Sequence, residues 1–213
     1  MSHRLSGKAA VVTGGESEIG QSISELFARE GCSVADVTSS DQAQRAFETA
    51  EEKLGKKNCS ACCAEIATSP ISLDQMEETD FDDVIRVNLK GTFMMCKQFL
   101  LSLEKFNTNC NDTRATEVNI SSGTVIKCVA KVSDYIASKF EVVGITKTLA
   151  VEYGKHEVRC NAVLPGLTTT PLLTTFTRDF LQAIEEGIPM KRLAKADKIA
   201  KCILSWHSTR VRT

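Results

Sequence analysis

The sequence has 213 residues, 42% of them hydrophobic and 25% charged, with a formal net charge of −1. This composition is ordinary for one globular domain over residues 1–213, and the balanced charge disfavours nucleic acid or an anionic membrane as a partner. No apolar run reaches the roughly 18 residues that a membrane span needs. We expect no signal peptide, and we expect the nine cysteines to be free thiols in the cytoplasm or the mitochondrial matrix.

Short apolar strands alternate with helical patterns along the chain. Strands are predicted at residues 9–13, 33–37, 117–120 and 158–163, and helices at 21–29, 40–54, 81–103 and 132–153. The third helix contains Gly91, where we expect a bend. Strands that alternate with helices indicate an α/β domain with a mainly parallel sheet.

A glycine-rich stretch, TGGESEIG, connects the first strand to the first helix over residues 13–20. In a doubly wound domain this turn holds the pyrophosphate of a dinucleotide, because glycines permit close approach and the helix start offers free N–H groups. A plain tight turn before a helix is the alternative interpretation. Glu18 places a carboxylate in this stretch, where we expect it to repel a pyrophosphate and to crowd the turn.

A second motif, SDYIASKF at residues 133–140, places Tyr135 and Lys139 on one helix face. Ser122 precedes Tyr135 by thirteen residues, at the end of a predicted strand, and Ser121 is its nearest rival. A phenol is a weak acid at neutral pH, but a nearby ammonium favours the phenolate and lowers its pKa. The alternative is a helix-face tyrosine beside a solvated lysine.

These motifs together resemble the short-chain dehydrogenase/reductase family, with its T-G-x-x-x-G-x-G loop and its Ser…Tyr-x-x-x-Lys site. The resemblance implies a Rossmann-like three-layer doubly wound parallel sheet, NAD(H) or NADP(H), and hydride transfer between a ketone and a secondary alcohol. It makes Tyr135 the acid/base, has Lys139 bind the cofactor ribose, and has Ser122 hold the substrate oxygen. Asn88, in VNLKGTF, is implied to bend the long helix and to anchor a water leading to the lysine; a helix-capping or buried polar role is its alternative.

The resemblance also implies the cofactor contacts, which include the segment VRCNAVLPGLTTTP. The implied residues are Gly14, Gly15, Ser17, Ile19, Gly20, Asp36, Ala64, Tyr135, Lys139, Pro165, Gly166, Thr168 and Thr170. Asp36 has two interpretations: the acid that binds the adenosine ribose after the second strand, or the acid that ends the family's third strand. The sequence around it, DVTSSDQAQ, favours the second.

Within the family, DFDDVIRVNLKGTF and YGKHEVRCNAVLPG look most like ketoacyl reductases, especially type 8 17-beta-hydroxysteroid dehydrogenases. A 3-oxoacyl thioester or a 17-hydroxysteroid is therefore the implied substrate. Residues 167–187 are expected to form the substrate loop. Its apolar residues, which suit a greasy substrate or ordinary helix packing, are Leu172, Leu173, Phe176, Phe180 and Leu181.

Three departures from the family pattern weaken this interpretation. The chain is short after Gly31, so some strands of the full fold are expected to be missing. The family's N-N-A-G turn is replaced by Cys-Cys-Ala-Glu at residues 62–65. Together with Cys59, the two cysteines of this turn form a C-x-x-C-C cluster, and we expect this cluster to bind no metal. The family's C-terminal segment is replaced by CILSWHSTRVRT. A shortened, catalytically weak variant that serves as an assembly subunit is the alternative function.

The residue patterns of the two long predicted helices also bear on self-association of the chain. The fourth predicted helix carries small and apolar residues along one side, which we expect to face the sheet. They are Ile136, Ala137, Phe140, Val143, Gly144, Thr148 and Val151. Phe93, Phe99 and Leu100 make the other long helix apolar on more than one face. Because the family pairs these helices across a two-fold axis, the resemblance implies a homodimer, with a tetramer as the family's further state.

Overall fold

The computed structural model of the chain describes residues 4–37, 47–48, 52–53, 58–105 and 115–208. Five parallel strands form one sheet in the order β2-β1-β3-β4-β5. They are β1 Ala9–Thr13, β2 Ser33–Val37, β3 Cys59–Cys62, β4 Ala115–Ile120 and β5 Val158–Val163. The helices are α1 Glu18–Arg29, α2 Glu78–Val84, α3 Thr92–Lys105, α4 Ser133–Tyr153, α5 Arg178–Glu186 and α6 Ala196–Ser208.

Helices cover both faces of the sheet, and each face has its own core. Ala10 and Val12 of β1 point into the core beneath α1 and α6, whereas Val11 between them points to the core beneath α3. Successive side chains of a strand point to opposite faces of the sheet, so each strand contributes to both apolar layers. For this reason the strands are continuous hydrophobic runs in the sequence. The prediction of a three-layer Rossmann-like parallel sheet is confirmed.

The position of β2 bears on the two interpretations of Asp36. β2 pairs directly with β1, and Asp36 is in register with Val12. A third strand would be separated from β1 by another strand, so the sheet order favours the first interpretation, in which Asp36 follows the second strand. The side chain of Asp36 lies outside the described residues, so its ribose contact stays a prediction.

Only residues 38–58 connect β2 to β3, which is enough for one helical crossover between parallel strands. The predicted helix at 40–54 falls mostly outside the described residues. The parts of it that the structure describes, residues 47–48 and 52–53, are helical. Phe47 from this segment is buried against Phe99, with ring centroids 6.4 Å apart. β2 and β5 are the two edges of the described sheet, and the expected loss of an outer strand stays a prediction.

The long central helix is interrupted, as expected near Gly91. Between α2 and α3 the chain forms a π-helical turn, Ile85–Gly91, with Asn88 at its centre. A π turn inserts an extra residue into the hydrogen-bond ladder and often marks a functional site. The predicted helix starts shift slightly elsewhere: α1 begins at Glu18 because the Ser17 hydroxyl accepts the Gly20 N–H, 3.2 Å away, and caps it.

The expected orientation of α4 is wrong. Its buried side is polar rather than apolar and consists of Asp134, Ser138, Lys139, Val142 and Thr146. On the side predicted to face the sheet, Phe140 is 48% exposed and Val151 is 84% exposed. The inner face is polar because it carries the site described below. No described helix is long and apolar enough to cross a membrane.

Candidate active site

The carboxyl ends of the parallel strands and the start of α4 bring the predicted reactive side chains together. Tyr135 and Lys139 lie one turn apart, and the lysine Nζ lies 5.5 Å from the centre of the tyrosine ring. Lys139 is 2% exposed and donates to the carbonyl of Ile120, the last residue of β4, at 3.0 Å. A lysine buried to this degree needs partners for its charge, which indicates a site built around it.

Ser122 and Ser121 have different roles at the end of β4. The Ser121 hydroxyl donates to the Lys139 carbonyl at 2.8 Å and is buried, so it fastens α4 to the strand end. The Ser122 hydroxyl accepts the Thr124 N–H at 3.2 Å and lines the same cavity as Tyr135. Its side chain also hydrogen-bonds the Tyr135 side chain. This arrangement supports the choice of Ser122 as the substrate-holding serine.

Glu65 is the residue whose contact the sequence did not predict. Its Oε2 atom lies 2.6 Å from Lys139 Nζ and accepts a hydrogen bond from the Tyr135 hydroxyl at 3.1 Å. Burial and the neighbouring Glu65 charge raise the pKa of Tyr135 well above its ordinary value, while the Ser122 side chain acts in the opposite direction. The net shift in the Tyr135 pKa is therefore opposite to the one expected from Lys139, and burial is its largest cause.

Asn88 connects the π-helical turn to the loop that carries Glu65. Its amide oxygen accepts the Ile66 N–H at 2.8 Å, and its amide nitrogen donates to the Ile66 carbonyl at 2.9 Å and to Ser138 Oγ at 3.1 Å. Asn88 is completely buried. Its amide thus fixes the backbone beside Glu65 and a neighbour of Lys139 on α4, whereas the implied water-anchoring role stays a prediction.

The glycine loop is held against the turn after β3. Gly14 has φ +73°, and a Cβ there would lie 2.8 Å from Ala64 N; a Cβ at Gly20 would lie 2.2 Å from the Gly14 carbonyl oxygen. Only glycine fits either position. The Thr13 hydroxyl accepts the Ala64 N–H at 3.2 Å, which fixes the two turns together. Ser17 donates to the Gly14 carbonyl at 2.6 Å as it caps α1.

Glu18 does not crowd this turn. It is the first residue of α1 and is exposed, so the expectation of a steric conflict is wrong. Its negative charge nevertheless lies in the helix turn that would attract an anion, and the expected electrostatic effect on a pyrophosphate stays a prediction.

The segment after β5 forms the opposite wall. The Gly123 N–H donates to the Pro165 carbonyl at 2.7 Å, and the Thr168 hydroxyl donates to the Gly166 carbonyl at 2.8 Å. Thr168 also forms a parallel bridge with Ala194. The bond between Gly123 and Pro165 keeps the predicted cofactor segment close to the loop that carries Ser122, and the Thr168 contacts fix the segment itself.

A cavity of about 510 Å³ lies between these walls. Ser122, Tyr135 and Glu65 line it, whereas the glycine loop and helix α1 contribute only Ile19. All five apolar residues predicted for the substrate loop also line the cavity, together with Ile184 and Ile188. The predicted residues that line it from the segment after β5 are Pro165, Gly166, Thr168 and Thr170. The cavity is therefore mainly apolar, with polar side chains that include Ser122, Tyr135 and Glu65 in its wall.

The cysteine cluster does not converge. Cys59 and Cys63 point into the core beneath α1 and α6, and Cys62 points to the other face of the sheet. The groups near Cys62 are instead Cys96 and Glu117, whose ligating atoms lie within 4.8 Å of its sulfur and of each other. That the three clustered cysteines hold no metal stays a prediction, and the burial of Cys62 on the opposite face of the sheet from Cys59 and Cys63 supports it.

Comparison with known proteins extends these observations. A family model described as enoyl-(acyl carrier protein) reductase matches residues 9–212. The chain is 32% identical to human (3R)-3-hydroxyacyl-CoA dehydrogenase, over 95% of this chain and 89% of that protein. It is 30% identical to a 3-oxoacyl-[acyl-carrier-protein] reductase of Thermotoga maritima, over 94% and 90%. The crystal structure of a 3-ketoacyl-(acyl-carrier-protein) reductase from Brucella melitensis, complexed with NADH, superposes with a TM-score of 0.85 at 27% identity, over 94% of this chain and 90% of that one.

Proposed function

Because this chain belongs to the short-chain dehydrogenase/reductase family, we propose that it is an NAD(P)-dependent oxidoreductase that interconverts a ketone and a secondary alcohol. The observation that carries this proposal is that Ser122 and Tyr135 both line an apolar cavity while the buried Lys139 lies beside the Tyr135 ring. A hydroxyl and a phenol thus face a space large enough for a small organic molecule, and an ammonium lies next to the phenol.

The residues of the chain have separate tasks in this reaction. Ser122 donates a hydrogen bond to the substrate oxygen and holds it near Tyr135. Tyr135 gives its proton to that oxygen during reduction and recovers it from Lys139 or from solvent. Lys139 stabilises the phenolate that remains, because an ammonium favours the charged form of a nearby phenol.

The glycine loop fits the cofactor. Gly14 and Gly20 let the loop pack closely against Ala64 and against itself, and Ser17 caps α1 by accepting the Gly20 N–H. The loop thus leads directly into the start of the helix, where an anion would bind. The nicotinamide cofactor supplies or accepts the hydride when it is bound. Residues of the glycine loop would hold its pyrophosphate, Lys139 and Ala64 its nicotinamide half, Asp36 its adenosine ribose, and the segment from Pro165 to Thr170 its carboxamide.

A 3-oxoacyl thioester is the proposed substrate class. The two relatives named above act, by their names, on acyl groups carried by CoA or acyl carrier protein. The cavity walls support the same class, since the rings of Phe176 and Phe180 stack with centroids 5.4 Å apart and Leu172 and Leu173 lie beside them. A flexible acyl chain can lie along such a wall, and its oxo group reaches the polar end.

A homodimer is the proposed assembly. Phe93 and Leu101 of α3 are 47% and 41% exposed, and Phe140 and Val151 of α4 are exposed as well. Large apolar side chains on the outer faces of two helices indicate a surface that a partner covers. The resemblance pairs these helices across a two-fold axis, and a second copy would bury these side chains.

One observation favours the second candidate, an assembly subunit with little catalysis: Glu65 binds both Lys139 and Tyr135. A calorimetric titration with NAD(H) and NADP(H), followed by a spectrophotometric assay with a 3-oxoacyl thioester, separates the candidates. The proposed oxidoreductase binds one cofactor per chain and consumes it only when the thioester is present. Absence of cofactor binding and turnover would leave the assembly role.

A further inference from the structure

The carboxylate of Glu65 binds the Lys139 ammonium and the Tyr135 hydroxyl, the two groups on which the proposed reaction depends. A single oxygen, Oε2, contacts both Lys139 Nζ at 2.6 Å and the Tyr135 hydroxyl at 3.1 Å. The Glu65 side chain is 15% exposed and lines the cavity, whereas Lys139 is almost completely buried. The ion pair therefore lies at the boundary between the cavity and the protein interior, where water screens it weakly.

This contact leaves Lys139 with few free donors. An ammonium has three N–H groups; one goes to the Ile120 carbonyl and another to Glu65. A cofactor ribose must either use the last donor or displace the carboxylate. The Tyr135 proton is directed at Glu65 as well, so a substrate oxygen that needs this proton competes with the same carboxylate.

The backbone on both sides of Glu65 is fixed. The Ala64 N–H is bound by the Thr13 hydroxyl at 3.2 Å, and the N–H and carbonyl of Ile66 are both bound by the buried Asn88 amide. The Cys63 N–H donates to the same Thr13 hydroxyl at 3.0 Å, so two successive residues before Glu65 are held by β1. Release of Lys139 and Tyr135 is therefore a rotation of the Glu65 side chain rather than a movement of its loop.

We propose that Glu65 is an internal inhibitor of this site, whose carboxylate must leave Lys139 and Tyr135 before cofactor and substrate bind productively. This inference rests on the proposed oxidoreductase function. The residue stands where the family has the glycine of its N-N-A-G turn, and glycine has no side chain to place there. The charged groups that face Tyr135 from the packed elements are Lys139 on its own helix and Glu65 after β3.

The first experiment measures cofactor affinity by calorimetry in the wild type, Glu65→Gln and Glu65→Gly. Glu65→Gln keeps the size of the side chain and removes its charge, and Glu65→Gly removes the side chain. We expect both variants to bind NAD(H) or NADP(H) about tenfold or more tightly, the usual scale for freeing a hydrogen bond to a charged group. The matched control is Glu141→Gln, an exposed carboxylate on α4, which should leave the affinity unchanged. Equal or weaker binding by both Glu65 variants would overturn the proposal.

The second experiment needs neither cofactor nor substrate. The chain has two tyrosines, so in a Tyr153→Phe background the near-ultraviolet absorbance of tyrosinate reports Tyr135 alone. Removing the carboxylate in Glu65→Gln should move this ionisation to lower pH by about one unit or more, because a negative neighbour disfavours the phenolate. Identical titration curves with and without Glu65 would overturn the inhibitory role. If no variant binds a cofactor, the proposed function fails, and this titration still decides the role of Glu65.

Discussion

Replacing Glu117 by glutamine tests the electrostatics of the sheet interior. Glu117 lies on β4, is 1% exposed, and accepts hydrogen bonds from the thiols of Cys62 and Cys96 at 3.3 Å and 3.6 Å. Burial raises the pKa of this carboxyl from 4.5 to about 7, because an ionised carboxylate loses its hydration there. The folded protein thus keeps a proton that the unfolded chain releases above pH 4.5.

The sign and size of the effect follow from this difference in pKa. Glu117 stabilises the fold fully below pH 4.5, and this contribution is lost as pH rises through about 7. At about 1.4 kcal/mol per pH unit, the loss amounts to about 3 kcal/mol. His207 acts in the opposite direction: burial lowers its pKa from 6.5 to about 4, so its contribution is lost as pH falls through that range. The two effects oppose each other between pH 4.5 and 6.5, and the wild-type curve alone cannot separate them.

The informative quantity is the difference in unfolding free energy between Glu117→Gln and the wild type. It is obtained from denaturant unfolding followed by circular dichroism at several pH values. We expect this difference to shift in favour of the variant by about 3 kcal/mol as pH rises from the acid side of 4.5 to about 8. The matched control, Glu141→Gln, changes an exposed carboxylate and should give a constant difference. A constant difference for Glu117→Gln as well would refute the reasoning, since the carboxyl would then titrate alike in both states.

Three further predictions concern the cofactor, the cysteines and the assembly. Glu18→Gly removes an exposed charge from the first turn of α1. Calorimetry should show that the variant binds NAD(H) or NADP(H) about fivefold more tightly, the scale of an exposed charge pair. Unchanged or weaker binding would mean that this carboxylate does not act on the phosphates. Cys59, Cys62 and Cys63 point to different faces of the sheet, so these three cysteines should hold no zinc together. Stoichiometric zinc in the purified protein that is lost in Cys59→Ser or Cys63→Ser would contradict this account, whereas zinc on Cys62, Cys96 and Glu117 would need neither residue. Light scattering at micromolar concentration should give a dimer that Phe140→Asp dissociates, because Phe140 lies exposed on α4. A monomeric wild type would exclude this interface, and a stable tetramer would require a second one.

Local patterns of apolar and polar residues predicted most of the fold. The strands at 9–13, 33–37 and 158–163 have the predicted bounds, because buried parallel strands leave continuous apolar runs in a sequence. The π-helical turn was foreseen only as a bend near Gly91. Its extra residue has no marker in composition, and it became visible only where Asn88 binds both backbone groups of Ile66.

The sequence was less informative where side chains meet across the fold. The spacing of Ser122, Tyr135 and Lys139 predicted their meeting, since a strand end and one helix turn fix their directions. The contact of Glu65 with Lys139 joins residues far apart in the chain, and the only signal for it was a glutamate in place of the family's glycine. The outward apolar face of α4 was assigned to the sheet because an apolar stripe cannot by itself distinguish a core from a partner.

Turnover of Tyr135→Phe tests the central claim most directly. The change removes one hydroxyl from a side chain that lines the cavity and leaves the ring in place, so the circular dichroism spectrum should not change. With a 3-oxoacyl thioester and saturating reduced cofactor, we expect turnover to fall at least about a hundredfold below that of the wild type, the usual scale for a lost acid/base group. Turnover close to that of the wild type would contradict the assignment of Tyr135 as the proton donor.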